Sequence, residues 1–378
     1  MSDSCISILK ELVSIDSVNP SLVPGAAGEA RVAEAIAARM RGIGLAVHLQ
    51  EAAPGRPNVI GVLEGHGAGP SLMFCGHMDT VGVEGMEAPF DPVERDGRIY
   101  GRGSQDMKGG LAAMIDAARI ARERGFARGR LVIAAVVDEE YASLGADALV
   151  TAWTADAAVV TEPTELQIGI GHKGFAWLDI DTVGRAAHGS RPLEGRDAIV
   201  RMGRVLRRLE GLDRELQARP PHPIMGTASL HASIIEGGRE LSSYPGSCRL
   251  RMERRTIAGE SAKSALDEIE AIISRLHEED AEFQAAVRLT FSRPPYELPP
   301  DHYLPRALAR AAEATGFKTG TAGMSFWTDA AVLASAGIPS VLFGPGGSGL
   351  HSTEEYVLVD DVLACRDALA ALALDDFR

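Results

Sequence analysis

The chain has 378 residues, 46% of them hydrophobic, with 38 Lys and Arg against 52 Asp and Glu and a net charge of −14. An apolar fraction near one half excludes a disordered chain, and the acidic balance argues against a phosphate backbone as ligand. No apolar run approaches the ~20 residues needed to cross a bilayer.

At about 150 residues per domain, the length fits two domains or one domain with a large insertion. The opening MSDSCISILKELVSID lacks the basic start and apolar stretch of a signal peptide, and Cys5, Cys75, Cys248 and Cys365 stand far apart with no C-x-x-C pair. The expectation is a cytoplasmic protein with reduced thiols. Along the chain, Gly28–Gly44 has helical apolar spacing at Val32, Ile36 and Met40, and Asn58–Leu63 and Ser71–Cys75 suit buried strands. Leu111–Arg124 repeats the helical pattern, with Leu111, Met114, Ile115, Ala118 and Ala121 on one face. Leu131–Val137 and Ala157–Thr161 are again short and apolar. This alternation predicts a layered α/β domain around a mixed sheet.

From about Gly174 the texture changes. Phe175–Val183 alternates as a half-exposed strand, followed by a helix over Arg196–Leu209, a Pro-rich link at Arg219–Pro223, strands at Ala228–Ile235 and Ser247–Arg251, and a helix over Ser261–Leu276. After Arg293-Pro294-Pro295 the α/β pattern returns, with a helix over His302–Thr315, a strand over Ser340–Phe343 and a last helix over Asp360–Leu374. The predicted architecture is an α/β domain, residues 1–173 and 292–378, interrupted by a smaller α+β sandwich, residues 174–291.

The polar residues of interest follow strands, where open α/β sheets gather ligands. His77 and Asp79 are two apart beyond Ser71–Cys75, so both point to one side in extended chain. This suits a metal-bound imidazole with a carboxylate behind it. Asp106 lies among glycines ahead of the Leu111 helix. Asp138-Glu139-Glu140 ends Leu131–Val137, Glu162 ends Ala157–Thr161, and His351 stands in a glycine-rich loop after Ser340–Phe343. Singly, each is more commonly a turn, a helix cap or a solvated loop. Together they form a thiolate-free set of imidazoles and carboxylates that suits Zn²⁺, Co²⁺ or Mn²⁺, with a shared Asp suiting a pair.

GHMDTV, GRGSQDMKGG, VVDEE, TEPT and GLHSTEE, in this order, resemble the motifs of the acetylornithine deacetylase, succinyl-diaminopimelate desuccinylase and carboxypeptidase G family. The resemblance covers essentially the whole chain, and HKGFAWLDIDTVGRAAHGSRPLEGRDAI is closest to the acetylornithine deacetylase branch. It implies a two-metal amidohydrolase or metallopeptidase of amino-acid metabolism, with zinc as the first expectation. Asp106 would bridge the two ions, His77 and Glu162 would complete one site, and Glu140 and His351 the other. Asp79 would orient His77, and Glu139 would be the general base toward a metal-bridging water. The peptide after Asp106 would be cis. His188, otherwise a surface-loop histidine, would hold the oxyanion of a neighbouring subunit in a homodimer built by the inserted lid and dimerisation domain.

One place departs from the family: where an Asn commonly meets substrate after a Gly-Gly, this chain has Ser242 in GGRELSSYPG. Arg255 matches a family arginine suited to a substrate carboxylate, and reads equally as a strand-end ion pair. Gly344 and Gly346 flank a proline in a segment that either offers N–H groups to a carboxylate or is a turn. The expected substrate is a small N-acyl amino acid. A dipeptidase or C-terminal exopeptidase with the same chemistry is the alternative. A non-catalytic homodimeric binding protein is disfavoured, because the base and every ligand are present.

Overall fold

The computed structural model describes residues 3–375 and divides into two compact units. The first comprises the chain up to Ile170, Leu298–Ala322 and the chain from Thr328 onward; the second comprises Gly171–Glu297 with Gly323–Trp327.

The first unit opens with helices α1 (Ser4–Val13) and α2 (Ala30–Gly42) and the hairpin β1 (Ala46–Ala53) and β2 (Arg56–Glu64). It continues through β3 (Gly67–His77), α3 (Gly109–Glu123), β4 (Arg128–Val136), α4 (Leu144–Ala152) and β5 (Ala157–Val160) to β6 (Ile168–His172), whose last two residues belong to the second unit. The second unit adds β7 (Gly174–Val183), α5 (Ala198–Ala218), β8 (Ser229–Gly237), β9 (Ser247–Thr256), α6 (Ala262–Glu279) and β10 (Gln284–Arg293). The chain then returns with α7 (Tyr303–Ala314), β11 (Ser340–Leu342) and α8 (Val359–Leu374).

The main sheet runs β1-β2-β4-β3-β5-β11-β6. Its centre is parallel, β4 with β3, β3 with β5 and β5 with β11, and its flanks are antiparallel. The mixed α/β fold with helices on the sheet is the one the sequence pattern predicts. Leu72–Cys75, Leu131–Val137 and Ala157–Val160 are buried throughout, as strands covered on both faces must be. The apolar face predicted for α3 is only part of what it buries. Ala112, Ala113 and Ala117 are also fully buried, because α1 and α8 pack against it from outside.

In the second unit an antiparallel sheet of order β8-β9-β7-β10 carries α5 and α6 on one face. Leu178, Ile180, Met202, Val205, Leu250, Met252, Ile269 and Phe283 form its core. Asp179 and Asp181 point the other way, where Arg249 and Arg288 pair with them. Helix α5 outlasts the predicted Arg196–Leu209: Asp197 caps its first N–H groups, and Leu216 extends the buried stripe by two more turns. The edge strand β8 leaves Ile234 and Ile235 about half exposed, at 48% and 51%. All four cysteines are buried and free, and among the described residues no helix is long and apolar enough to cross a membrane.

Helix α3 crosses β5 at Gly110, where a Cβ would stand 2.1 Å from the Thr161 carbonyl oxygen. Alanine gains ~1 kcal/mol over glycine in a helix interior, but backbone overlap of this depth forces the helix off the sheet. Gly110→Ala is expected to destabilise the first unit by about 1–3 kcal/mol, read as a lower urea midpoint. An unchanged midpoint would mean that this helix–strand contact is not close-packed.

Candidate metal centre

The parallel strands end on one level. His77 is opposite Val136 across β3 and β4, Cys75 is opposite Val160 across β3 and β5, and Val160 is opposite Leu342 across β5 and β11. The residues just beyond, Asp79, Asp138 to Glu140, Glu162 and Gly344, therefore leave the sheet along a single edge. Asp106 reaches that edge from the loop ahead of α3. Gly103 turns this loop at φ 79°, where a Cβ would lie 2.7 Å from Thr80 Cγ2, so a side chain is excluded. The Asp106–Met107 peptide is cis.

Four predicted side chains meet directly. His77 Nε2 is 3.1 Å from Asp106 Oδ1, and His351 Nε2 is 3.5 Å from Asp106 Oδ2 and 3.1 Å from Glu140 Oε2. Glu139 Oε2 and Glu162 Oε1 each stand 4.0 Å from His77 Nε2. Donor atoms of His77, Asp106 and Glu140 lie within 4.8 Å of one another, as do those of His77, Glu139 and Glu162. Asp106 thus faces both imidazoles with different oxygens.

The electrostatics are those of crowded, buried acids. Burial pushes Glu139 and Glu162 well above the usual carboxylate range, and the buried Asp329 adds to both. Burial and the neighbouring Asp106 push Glu140 up to about 7. Burial also opposes ionisation of Asp106, but hydrogen bonds from His351 and His77 outweigh it and hold that carboxyl well below its usual range. The same bonds raise the imidazoles: Asp106 and Glu140 lift His351 to about 10. Burial disfavours a charged His77 ring, yet Asp106 and the surrounding acids still push it up. Two imidazoles cannot neutralise this many carboxylates. Divalent cations can, and a nitrogen and oxygen donor set without thiolate fits Zn²⁺, Co²⁺ or Mn²⁺.

Asp79 does more than the sequence suggests. The contact that holds His77 Nδ1 is the main-chain oxygen of Asp79, at 3.0 Å, while its carboxylate lies 3.6 Å away. That carboxylate accepts from the N–H groups of Glu139 and Glu140 at 3.2 Å and from Asn19 Nδ2 at 2.7 Å. Asn19 also donates to Asp138, which pairs with Arg56 Nη1 at 2.8 Å, and Arg56 in turn pairs with the buried Glu29. This network bolts the acidic turn after β4 to the N-terminal segment. Sequence reading missed Asn19, Glu29, Arg56 and Asp329, which carry no motif spacing. It also passed over Glu355, although that residue stands inside GLHSTEE.

The remaining predicted residues have other contacts. His188 and Ser242, both exposed, come together in the second unit: Gly189 N–H donates to the Ser242 carbonyl at 2.7 Å, and His188 forms a bridge with Ser243. The His188 ring is held by Ser190 Oγ at 2.8 Å. Arg255 pairs with Glu253 at 2.6 Å and lies over the Phe175 ring at 5.5 Å. Gly344 and Gly346 form hydrogen bonds within the protein. Their N–H groups already donate to Thr164 Oγ1 at 3.1 Å and to Asp361 Oδ2 at 3.0 Å, which makes the segment a fastened turn.

Imidazoles and acids gathered at the strand ends of an open mixed α/β sheet make a site fit for divalent cations. Residues 73–375 match the model of peptidase family M20/M25/M40, and the chain belongs to that family. An acetylornithine deacetylase of Myxococcus xanthus is 31% identical over 385 residues, spanning 96% of this chain and 94% of that protein. Among solved structures, a tripeptidase of Staphylococcus aureus subsp. aureus Mu50 superposes with a TM-score of 0.84 at 21% identity, over 99% of this chain and 98% of its own. A dinuclear metal-binding peptidase of Bacillus subtilis gives 0.75 at 16% identity, over 98% and 96%.

Cation uptake must displace protons here, because coordination needs an ionised Glu140 and a neutral His351. Glu140 gives up a proton below about pH 7, and His351 does so at any pH below about 10. Apparent affinity is therefore expected to rise with pH across the neutral range, with more protons released at pH 6 than at pH 8. Calorimetry of Zn²⁺ addition in buffers of different ionisation enthalpy measures this. Heats independent of buffer would contradict the donor set.

Proposed function

We propose that this protein hydrolyses the amide bond of a small N-acyl amino acid, with two divalent ions, zinc foremost, held between the strand-end residues. His77, Glu162 and Asp106 would hold one ion, and Glu140, His351 and Asp106 the other. Bound cations supply the Lewis acidity that lowers the pKa of water and polarises an amide carbonyl. The observation that carries the reading is the convergence of His77, Asp106, Glu140 and His351 on one sheet edge with a further buried acid, Glu139, beside them.

Glu139 is the proton carrier. Glu140 is engaged by His351 at 3.1 Å, whereas the nearest cationic partner of Glu139 among the described residues is His77, at 4.0 Å. An acid whose carboxyl is raised by burial can accept a proton from the attacking water and return it to the leaving amine. The Asp79 bonds to the N–H groups of Glu139 and Glu140 fix that turn, so the base and its neighbouring ligand are aimed by one carboxylate.

The N-acyl substrate class is supported by the similarity to the deacetylase of M. xanthus over nearly the whole chain. A homodimer through the second unit is supported by the half-exposed isoleucines on its edge strand β8, since an open strand edge is a ready pairing surface. In that dimer His188 would serve the neighbouring subunit's oxyanion, with Ser242 beside it at the substrate.

A panel of N-acetyl and N-succinyl amino acids, including N-acetylornithine, and of dipeptides tests this on metal-loaded protein with and without chelator. Chelator-sensitive turnover of the N-acyl compounds is expected. Turnover of dipeptides alone would make the protein an exopeptidase, and metal-replete protein inert toward every amide would overturn the reading. Glu139→Ala is expected to retain both ions while kcat falls by about 10²–10⁴. Near-normal turnover in that variant would remove Glu139 from the role of base.

A further inference from the structure

One carboxylate ties together the two loops that bring Asp106 and His351 to the strand ends. Glu355 is 1% exposed, and both of its oxygens are occupied. Oε1 accepts from the main-chain N–H groups of Gln105 at 2.9 Å and Asp106 at 3.1 Å. Oε2 accepts from Gly103 N–H at 3.0 Å and from Arg102 Nη1 at 2.6 Å. The fork of Arg102 then reaches back, donating through Nη2 to the Ser352 carbonyl at 2.8 Å, next to His351. Gly101 N–H donates to the Glu355 carbonyl at 3.1 Å and completes the seam.

These contacts have no other source in the loop. Gly103, Gln105 and Asp106 precede α3, so their N–H groups face the general problem of a helix entry, donors with no partner in the helix itself. An N–H buried without an acceptor costs about as much as a lost hydrogen bond. Glu355 satisfies three of them with one side chain. In doing so it fixes where Asp106 stands relative to His351, whose own backbone is held in the left-handed region at φ 58°.

We propose that Glu355 is a positioning residue for the candidate centre: through the Asp106 loop it sets the separation of Asp106 from His351, and with it the affinity for the cation those two residues would share. The inference rests on the two-cation reading above but concerns no substrate. A loop anchor with no such role would lower stability in metal-free and loaded protein alike and leave the second binding step unchanged. A positioning residue changes that step. Substituting a partner that orients metal ligands typically weakens affinity by 10- to 100-fold.

The test is a titration of metal-free Glu355→Gln with Co²⁺, followed by the visible absorption of the bound ion, with thermal unfolding of the metal-free protein alongside. Gln keeps one acceptor oxygen for Gln105 and Asp106 but turns an NH₂ toward Gly103 and Arg102. The expected result is weakened Co²⁺ binding, greatest at the second equivalent and there by about 10- to 100-fold. Its absorption bands should be shifted, and kcat at limiting metal should fall while KM stays within a few-fold. Two equivalents bound with unchanged affinity and spectrum would overturn the proposal, whatever the change in unfolding temperature. Should Glu355→Gln not fold, Arg102→Lys removes the fork to Ser352 while sparing the carboxylate. It is expected to weaken the second equivalent in the same sense, and wild-type binding there would equally overturn the proposal. Because the readout is cobalt, absence of amide turnover in the unsubstituted protein would count against the hydrolase reading and leave this result standing.

Discussion

Repulsion among buried acids organises this molecule. Two carboxylates about 4 Å apart at an effective dielectric of 20 repel by ~4 kcal/mol, and Asp106, Glu139, Glu140 and Glu162 surround the same imidazoles. A fold that collects them at the ends of its central strands must either keep some of them protonated or provide a place for counter-charge. Both answers are visible: carboxyls pushed upward by burial, and oxygen and nitrogen atoms spaced to share a cation. Membership in a family of metal-dependent hydrolases gives that counter-charge a chemical purpose.

The scaffold holds the acids in place mainly through its main chain. Parallel register aligns the strand ends, and the turns that follow are fastened by carboxylates acting on N–H groups, Asp79 on the Glu139–Glu140 turn and Glu355 on the Asp106 loop. Side chains that act on the backbone in this way stiffen a site without occupying it. The chain Glu29–Arg56–Asp138–Asn19–Asp79 extends the same tactic into the N-terminal segment.

Much of this was legible in the sequence, for physical reasons. Strands covered on both faces are continuous apolar runs, so Leu72–Cys75, Leu131–Val137 and Ala157–Val160 announce themselves, and the acids that end them stand out by contrast. The hairpin strand β1 was not read, because AVHLQEAA lies half exposed with no clean alternation. Strand β10 does alternate, at Ala285, Val287, Leu289 and Phe291, but none of these is fully buried, so the pattern has no strong apolar face. Partners such as Asn19 and Arg56 are invisible for a different reason. They reach Asp79 and Asp138 across separations of 60 and more residues, which no local pattern encodes. The N–H groups of Gly344 and Gly346 illustrate the converse, since a glycine–proline segment gives no sign of which acceptors have already claimed it.

The seam at Glu355 also bears on the order in which the protein comes into being. Its carboxylate bonds to residues some 250 positions earlier, and His351 stands just before it. While the chain is still being synthesised, His77, Asp106, Glu140 and Glu162 are all present, yet the Asp106 loop lacks its anchor and one imidazole is missing. Domains form as their residues emerge, but this centre cannot be completed until His351 and Glu355 have been made. A chain cut short before His351 therefore retains the acids but lacks one imidazole and the anchor of the Asp106 loop.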